Sequence, residues 1–262
     1  MKLDGCTALI TGASAGIGRE FARKLAGRAR SVALVARRRE RLEQLRNELL
    51  NRNRNLNVHV YDVDLADKAQ VDALIDSLAR DKIGIDLLIN NAGLGALGPF
   101  ATSDPERIDE IIQVNMSALT LLTRKLLPPM IARKRGAILN VSSSAGFLPI
   151  PGFAVYAASK AYVTSFSEAV RSELRGTGVS VCALCPGPVH TEFNDVAHHP
   201  GGEPDRSPEF VYVPVEQVVR DALAAVEADR PLIIPGFLMK VGMFLVRLTP
   251  MSILRRFSSK QR

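Results

Sequence analysis

Tyr156 and Lys160 stand four residues apart and form the pair in this 262-residue chain best suited to acid–base chemistry. On a helix that spacing puts both side chains on one face. A phenol in water ionises near pH ~10. A cation beside it favours the phenolate and lowers that value, which makes the tyrosine a usable general acid or base near neutral pH. Upstream, Ser142-Ser143-Ser144 ends one apolar run and Asn90-Asn91-Ala92-Gly93 ends another. At the carboxyl edge of a parallel sheet, where a ligand crevice is expected, such hydroxyls and amides can hydrogen-bond a ligand.

A second constellation lies near the amino end. Thr11-Gly12-Ala13-Ser14-Ala15-Gly16-Ile17-Gly18 follows a short apolar run and opens a helical pattern. Gly12, Gly16 and Gly18 let the backbone turn tightly and approach a pyrophosphate, where free helix N–H groups and the helix dipole favour negative charge. The spacing is Gly-x-x-x-Gly-x-Gly and not the usual dinucleotide fingerprint. The end of the next strand, Val35-Ala36-Arg37-Arg38-Arg39, carries no carboxylate to bind a ribose 2′-hydroxyl. Arg37 can instead pair with a 2′-phosphate through its planar fork, with Ser14 adding a hydroxyl bond. The expected cofactor is NADP(H) in preference to NAD(H).

These residues need a scaffold that brings strand ends together. Apolar runs at 6–10, 31–36, 56–61, 86–90, 136–142, 179–184 and 232–234 read as strands. Helical periods fall at 16–27, 39–54, 68–82, 105–131, 154–175 and 214–228. That alternation predicts an α/β, doubly wound (Rossmann) seven-stranded parallel sheet with helices on both faces, in a single domain over 1–236. Apolar residues at 47% and charged residues at 23% exclude a disordered chain. Segments 93–100 and 190–212 read as substrate-binding loops, and 237–262 as a basic amphipathic tail.

Almost all of the formal charge of +7 belongs to that tail, in Lys240, Arg247, Arg255, Arg256, Lys260 and Arg262, with no acid from 237 onward. A nucleic-acid-binding face spread over the domain is therefore excluded. Cys182 and Cys185 form a Cys-x-x-Cys inside a strand pattern, where alternation points them to opposite faces. They read as buried thiols that fit an intracellular compartment. The four histidines show no ligand spacing, so no metal is expected. The amino terminus shows no secretory h-region, and the expected location is cytoplasmic.

Taken in order across residues 5 to 192, these motifs resemble the short-chain dehydrogenase/reductase family. The resemblance implies an oxidoreductase that moves a hydride between NADP(H) and a carbonyl or secondary alcohol carbon. By position, Tyr156 protonates the carbonyl oxygen or deprotonates the alcohol. Lys160 binds the nicotinamide ribose and depresses the tyrosine pKa. Ser143 holds the substrate oxygen, being the serine thirteen residues before the tyrosine. Asn115, in Gln113-Val114-Asn115-Met116-Ser117, holds a water that links Lys160 to solvent. Asp64-Leu65 meets the adenine edge, and Asn91, Ala92 and Gly93 meet the adenosine ribose. In the cofactor-binding Pro186-Gly187-x-Val189-x-Thr191, Val189 and Thr191 meet the nicotinamide carboxamide. Ala15 departs from the family, many NADP-using members of which carry a basic residue there, so the 2′-phosphate depends more on Arg37 and Arg38. The resemblance also implies a homodimer or homotetramer through the helices around Asn115 and Tyr156.

Leu94, Leu97, Phe100, Phe147, Leu148, Phe153 and Phe193 suggest an apolar, bulky substrate. The tail has two readings: it walls the substrate pocket or a partner subunit, or it lies on an anionic membrane surface, where a lipid-like substrate follows. Thr249-Pro250 reads as the cap and first turn of a second short helix. Two other functions compete with catalysis: a regulator that binds NADP(H) without significant chemistry, and a membrane-peripheral scaffold.

Overall fold

Five of the apolar runs become strands with almost every residue buried, as a sheet covered on both faces requires. These are β1 (Thr7–Thr11), β2 (Ser31–Ala36), β4 (Leu87–Asn90), β5 (Gly136–Val141) and β6 (Val179–Leu184). β3 (Asn57–Asp62) and β7 (Leu232–Ile233) form the half-covered edges. The computed structural model describes residues 1–197, 209–250 and 252–254. All seven strands pair in parallel, in the order β3-β2-β1-β4-β5-β6-β7. The chain builds outward from β1 to β3, then restarts at β4 on the other side of β1. That reversal opens a crevice beyond the carboxyl ends of β1 and β4.

Helices α1 (Gly16–Leu25), α2 (Arg39–Arg52) and α8 (Val215–Glu227) cover one face, with Phe21, Leu25, Leu45 and Val219 in the core. Helix α3 (Lys68–Arg80) covers the other face with α4 (Pro105–Ile112), α5 (Leu119–Ala132) and α6 (Ala154–Glu173). Asp67 caps α3 by accepting from the Ala69 and Gln70 amides, and Asp104 caps α4 with Pro105 at its first position.

One helix differs from the periodicity reading. The segment 105–131 is not one α-helix: residues Gln113–Ala118 form a π-turn between α4 and α5. A π-turn accommodates an extra residue without breaking the apolar stripe, so the pattern on either side still reads as continuous. Asn115 lies inside that turn.

The segment 190–212 holds α7 (Glu192–Ala197) and a 3-10 turn at Glu209–Val211, and its middle lies outside the described residues. The tail forms α9 (Phe237–Leu248). Thr249 closes α9 by donating to the Leu245 carbonyl at 2.8 Å, and a second helical turn starts at Pro250, whose carbonyl accepts from Ile253 and Leu254. Arg255, Arg256, Lys260 and Arg262 lie outside the described residues, as do His198 and His199.

Candidate active site

The glycine turn is built against the end of β4. Gly12 has φ +65°, and a Cβ there would stand 2.8 Å from Asn91 Nδ2. A Cβ on Gly18 would run into the Gly12 carbonyl oxygen. The turn can therefore close only on glycines. Asn91 Nδ2 donates to the Thr11 carbonyl at 2.9 Å, and Thr11 Oγ1 accepts from the Asn91 and Ala92 amides at 2.9 and 3.0 Å. These bonds pin the ends of β1 and β4 together. Asn91 thus braces the turn through its side chain, a role its motif position did not suggest. No side chain caps the first turn of α1, which leaves its N–H groups available to an anion.

A polar cluster stands at the end of β2. Arg38, and not Arg37, reaches Ser14, with Nη2 donating to Oγ at 3.3 Å. Arg37 turns the other way, 3.9 Å from Asp64 Oδ2. Arg38 Nη1 also donates to Glu192 on α7 at 3.2 Å, and Arg41 donates to the same carboxylate at 2.6 Å. Arg41 first, and Arg38 after it, hold the Glu192 carboxyl below the usual carboxylate range. Arg41 and Glu192 were not singled out from sequence. They meet across 151 residues, and no local spacing signals that.

At the other end of the cleft Tyr156 and Lys160 are both buried on α6. The Ser143 hydroxyl stands beside the Tyr156 phenol and draws its pKa down. Ser143 is held in turn by the Ala145 amide, which donates to its Oγ at 3.1 Å. Lys160 Nζ donates to the Val141 carbonyl at 2.8 Å and lies 5.6 Å from the centre of the Tyr156 ring. Burial pushes the phenol up to about 12, which Ser143 only partly offsets. Burial likewise brings Lys160 down to about 8. Lys160 takes no part in the tyrosine's shift here, because its ammonium faces the Tyr156 ring and the Val141 carbonyl.

Asn115 is fastened on three sides. Its Oδ1 accepts from the Leu94 amide at 2.8 Å, and its Nδ2 donates to the Leu94 carbonyl and to Ser159 Oγ, each at 2.9 Å. Ser159 donates to the Tyr156 carbonyl at 2.7 Å. The chain Leu94–Asn115–Ser159–Tyr156 ties the loop after β4 to the first turn of α6. Ser159 was legible only as filler inside Tyr-x-x-x-Lys.

The two ends share one cleft of about 1160 Å³. Gly12, Ser14, Ala15, Gly16, Ile17, Arg37, Arg38, Asp64, Leu65, Asn91, Ala92, Gly93, Ser143, Tyr156, Lys160, Pro186, Gly187, Val189 and Thr191 all line it. Gly18 and Asn115 stand behind the wall as braces. Tyr156 stacks on Phe153 at 4.2 Å and meets Phe193 of α7 at 5.3 Å. Beyond the phenol the wall is Leu94, Leu97, Leu148, Ile150, Phe153 and Phe193, completed by Met239 and Met243 of α9. No charged side chain is among the described residues there. Two aromatics expected in this wall are elsewhere: Phe100 is exposed on the outer surface, and Phe147 packs under the Arg247 guanidinium.

Cys182 and Cys185 are free and buried, and no group of His, Cys, Asp or Glu among the described residues could hold a metal. Among those residues no helix is long and apolar enough to cross a membrane.

The family profile described as short chain dehydrogenase matches residues 6–200. A sulfoacetaldehyde reductase of Chromohalobacter salexigens is 43% identical over 187 residues, which are 70% of this chain and 72% of that protein. A solved short-chain dehydrogenase from Sphingobium yanoikuyae, in complex with NADPH, is 34% identical with a TM-score of 0.81 over 88% of each chain. The bulky-bulky ketone specific alcohol dehydrogenase from Comamonas testosteroni is 29% identical with a TM-score of 0.77 over 94% of each chain.

Proposed function

Because this chain belongs to the short-chain dehydrogenase/reductase family, we propose that it is an NADPH-dependent reductase of apolar, bulky carbonyl compounds, with Tyr156 as the general acid. One observation carries the reading: a buried phenol sits beside Ser143 where the glycine-turn end of the cleft meets its apolar end.

The residues present fit the cofactor. The Gly12–Gly18 cradle and the uncapped start of α1 suit a pyrophosphate. Ser14, Arg38 and Arg41 converge where a 2′-phosphate is expected after β2, and the NADPH complex of the Sphingobium relative supports that choice. Asp64 and Leu65 would line the adenine; Asn91, Ala92 and Gly93 its ribose. Lys160 would hold the nicotinamide ribose, and Pro186, Gly187, Val189 and Thr191 the carboxamide. Bound there, the reduced nicotinamide supplies a hydride to the carbonyl carbon.

The chain's own residues complete the reaction. Ser143 Oγ fixes the carbonyl oxygen beside the phenol, and Tyr156 delivers its proton to that oxygen as the C–O bond becomes single. With its pKa pushed up to about 12, the phenol keeps its proton at neutral pH, as a general acid must. Asn115 and Ser159 fix the start of α6, so the phenol keeps its position. Phe153, Phe193, Met239 and Met243 exclude water and take up apolar substituents. This wall favours a substrate like that of the bulky-ketone enzyme over the small anion of the sulfoacetaldehyde reductase. A regulator that only binds NADP(H) would need no phenol held against a serine.

The test is NADPH consumption with ketones of graded size. Specificity should rise with apolar bulk, and Tyr156→Phe should lower kcat by ~10²–10⁴-fold with NADPH binding retained. Unchanged turnover in that variant sinks the mechanism. Faster turnover with NADH than with NADPH at equal concentration sinks the cofactor choice.

A further inference from the structure

Helix α9 has two apolar faces, and only one of them is used. Met239 and Met243 turn inward, and Met239 presses on Gly187, where a Cβ would collide with its side chain. The opposite face is open: Phe237 is 79% exposed, Phe244 61% and Leu248 67%, with Leu238, Val241 and Leu245 beside them. Seven of the nine large apolar side chains exposed among the described residues lie between Phe237 and Ile253. A soluble surface rarely gathers apolar groups this way without a partner.

The charge pattern selects the partner. At about 100° per residue, Phe237, Leu238, Val241, Phe244, Leu245 and Leu248 span one arc, and Lys240 and Arg247 fall together along one edge of it. From 237 to 262 the chain has six basic residues and no acidic one. An apolar arc flanked by cations matches the boundary between headgroups and acyl chains of an anionic bilayer. A second copy of this chain is disfavoured, because a two-fold contact lays the same basic stretch against itself.

We propose that the outer face of α9 docks this protein on anionic lipid surfaces, in the membrane plane and without spanning it. The proposal goes beyond the reductase reading and does not depend on it. Docking brings the lipid boundary to the helix whose other side walls the cleft.

The experiment is co-sedimentation of the full chain with phosphatidylcholine vesicles and with phosphatidylcholine vesicles containing phosphatidylglycerol, at low and high salt. Binding should favour the anionic vesicles by about tenfold or more and weaken as salt screens the basic residues. The surface variant F244E/L248E should lose that binding at least about tenfold, with an unchanged circular dichroism spectrum and unchanged NADPH binding. Absence of sedimentation at low salt overturns the proposal. So does equal binding to both vesicle types, binding that survives F244E/L248E, or a dimer that dissociates in F244E/L248E with no lipid binding by the parent chain.

Discussion

Glu192 and Arg38 meet across the mouth of the cleft at 3.2 Å, and the same guanidinium holds Ser14 at 3.3 Å. A carboxylate of α7 thus occupies the cationic corner in which a 2′-phosphate is expected. Two anions cannot share that corner without mutual repulsion. On the proposed cofactor reading, Glu192 is therefore expected to compete with the phosphate and couple α7 to cofactor binding. Glu192→Gln should tighten NADPH binding by about threefold or more, read as Kd from nicotinamide fluorescence, with NADH binding unchanged. Weaker NADPH binding in the variant would count against competition.

Arg38→Ala should act in the opposite direction. Loss of a charge-assisted bond to phosphate is worth about 1.5–3 kcal/mol, or roughly 10–100-fold in the NADPH Kd. NADH, which lacks that phosphate, should bind as before. Equal losses for both cofactors would show that Arg38 only supports the turn.

Lys160 gives the cofactor-free protein a pH-dependent stability. Its folded pKa of about 8 lies below the ordinary lysine value of 10.5, so the unfolded chain binds more protons between those values. Stability then rises with pH across that window and is lost as pH falls toward 8. Tyr156, raised from 10 to about 12, acts in reverse above pH 10. Lys160→Met should flatten the rise between pH 8 and 10 and stabilise the cofactor-free protein near neutrality by on the order of 2–3 kcal/mol. Urea midpoints at three pH values would show it; a rise that persists in the variant belongs to another group.

Asn115→Ala leaves the Leu94 N–H and C=O without their partner, and Ser159 without its donor. The expected cost is about 1–3 kcal/mol per group stranded from water, seen as a lower denaturant midpoint at unchanged slope. Because Asn115 acts through Leu94 and Ser159, kcat should fall more than KM changes. A loss of stability with full kcat would make the network purely structural.

Gly18→Ala places a methyl against the Gly12 carbonyl oxygen. Backbone cannot yield as a side-chain end does, so about 1–3 kcal/mol of stability should go together with NADPH binding. Gly176→Ala is the control: its Cβ meets nothing, though its φ of +80° carries local strain. It should leave cofactor binding intact.

Much of the site was legible because its chemistry is local in sequence. Tyr156 and Lys160 share a helix turn, Gly12 to Gly18 form one bend, and strand ends announce themselves where apolar runs stop. The π-turn around Asn115 was not legible, because one extra residue leaves the apolar stripe unbroken on both sides. Arg38 rather than Arg37 as the partner of Ser14 was also hidden, since adjacent residues on a turn differ only in where the turn aims them.

From its residue types and spacing alone, this chain determines a doubly wound parallel sheet, an acid–base pair and a glycine turn at its strand ends, and the absence of an acid at the end of β2. Periodicity and short motifs encode these because they depend on neighbours within a few residues. Only the tertiary structure decided which groups face one another: Glu192 against Arg38 and Arg41, Lys160 against the Val141 carbonyl, and α9 with one face on the cleft and the other open. Burial decided the pKa of Tyr156 in the same way. Desolvation and pairing are properties of what surrounds a side chain, and its surroundings come from segments remote in sequence.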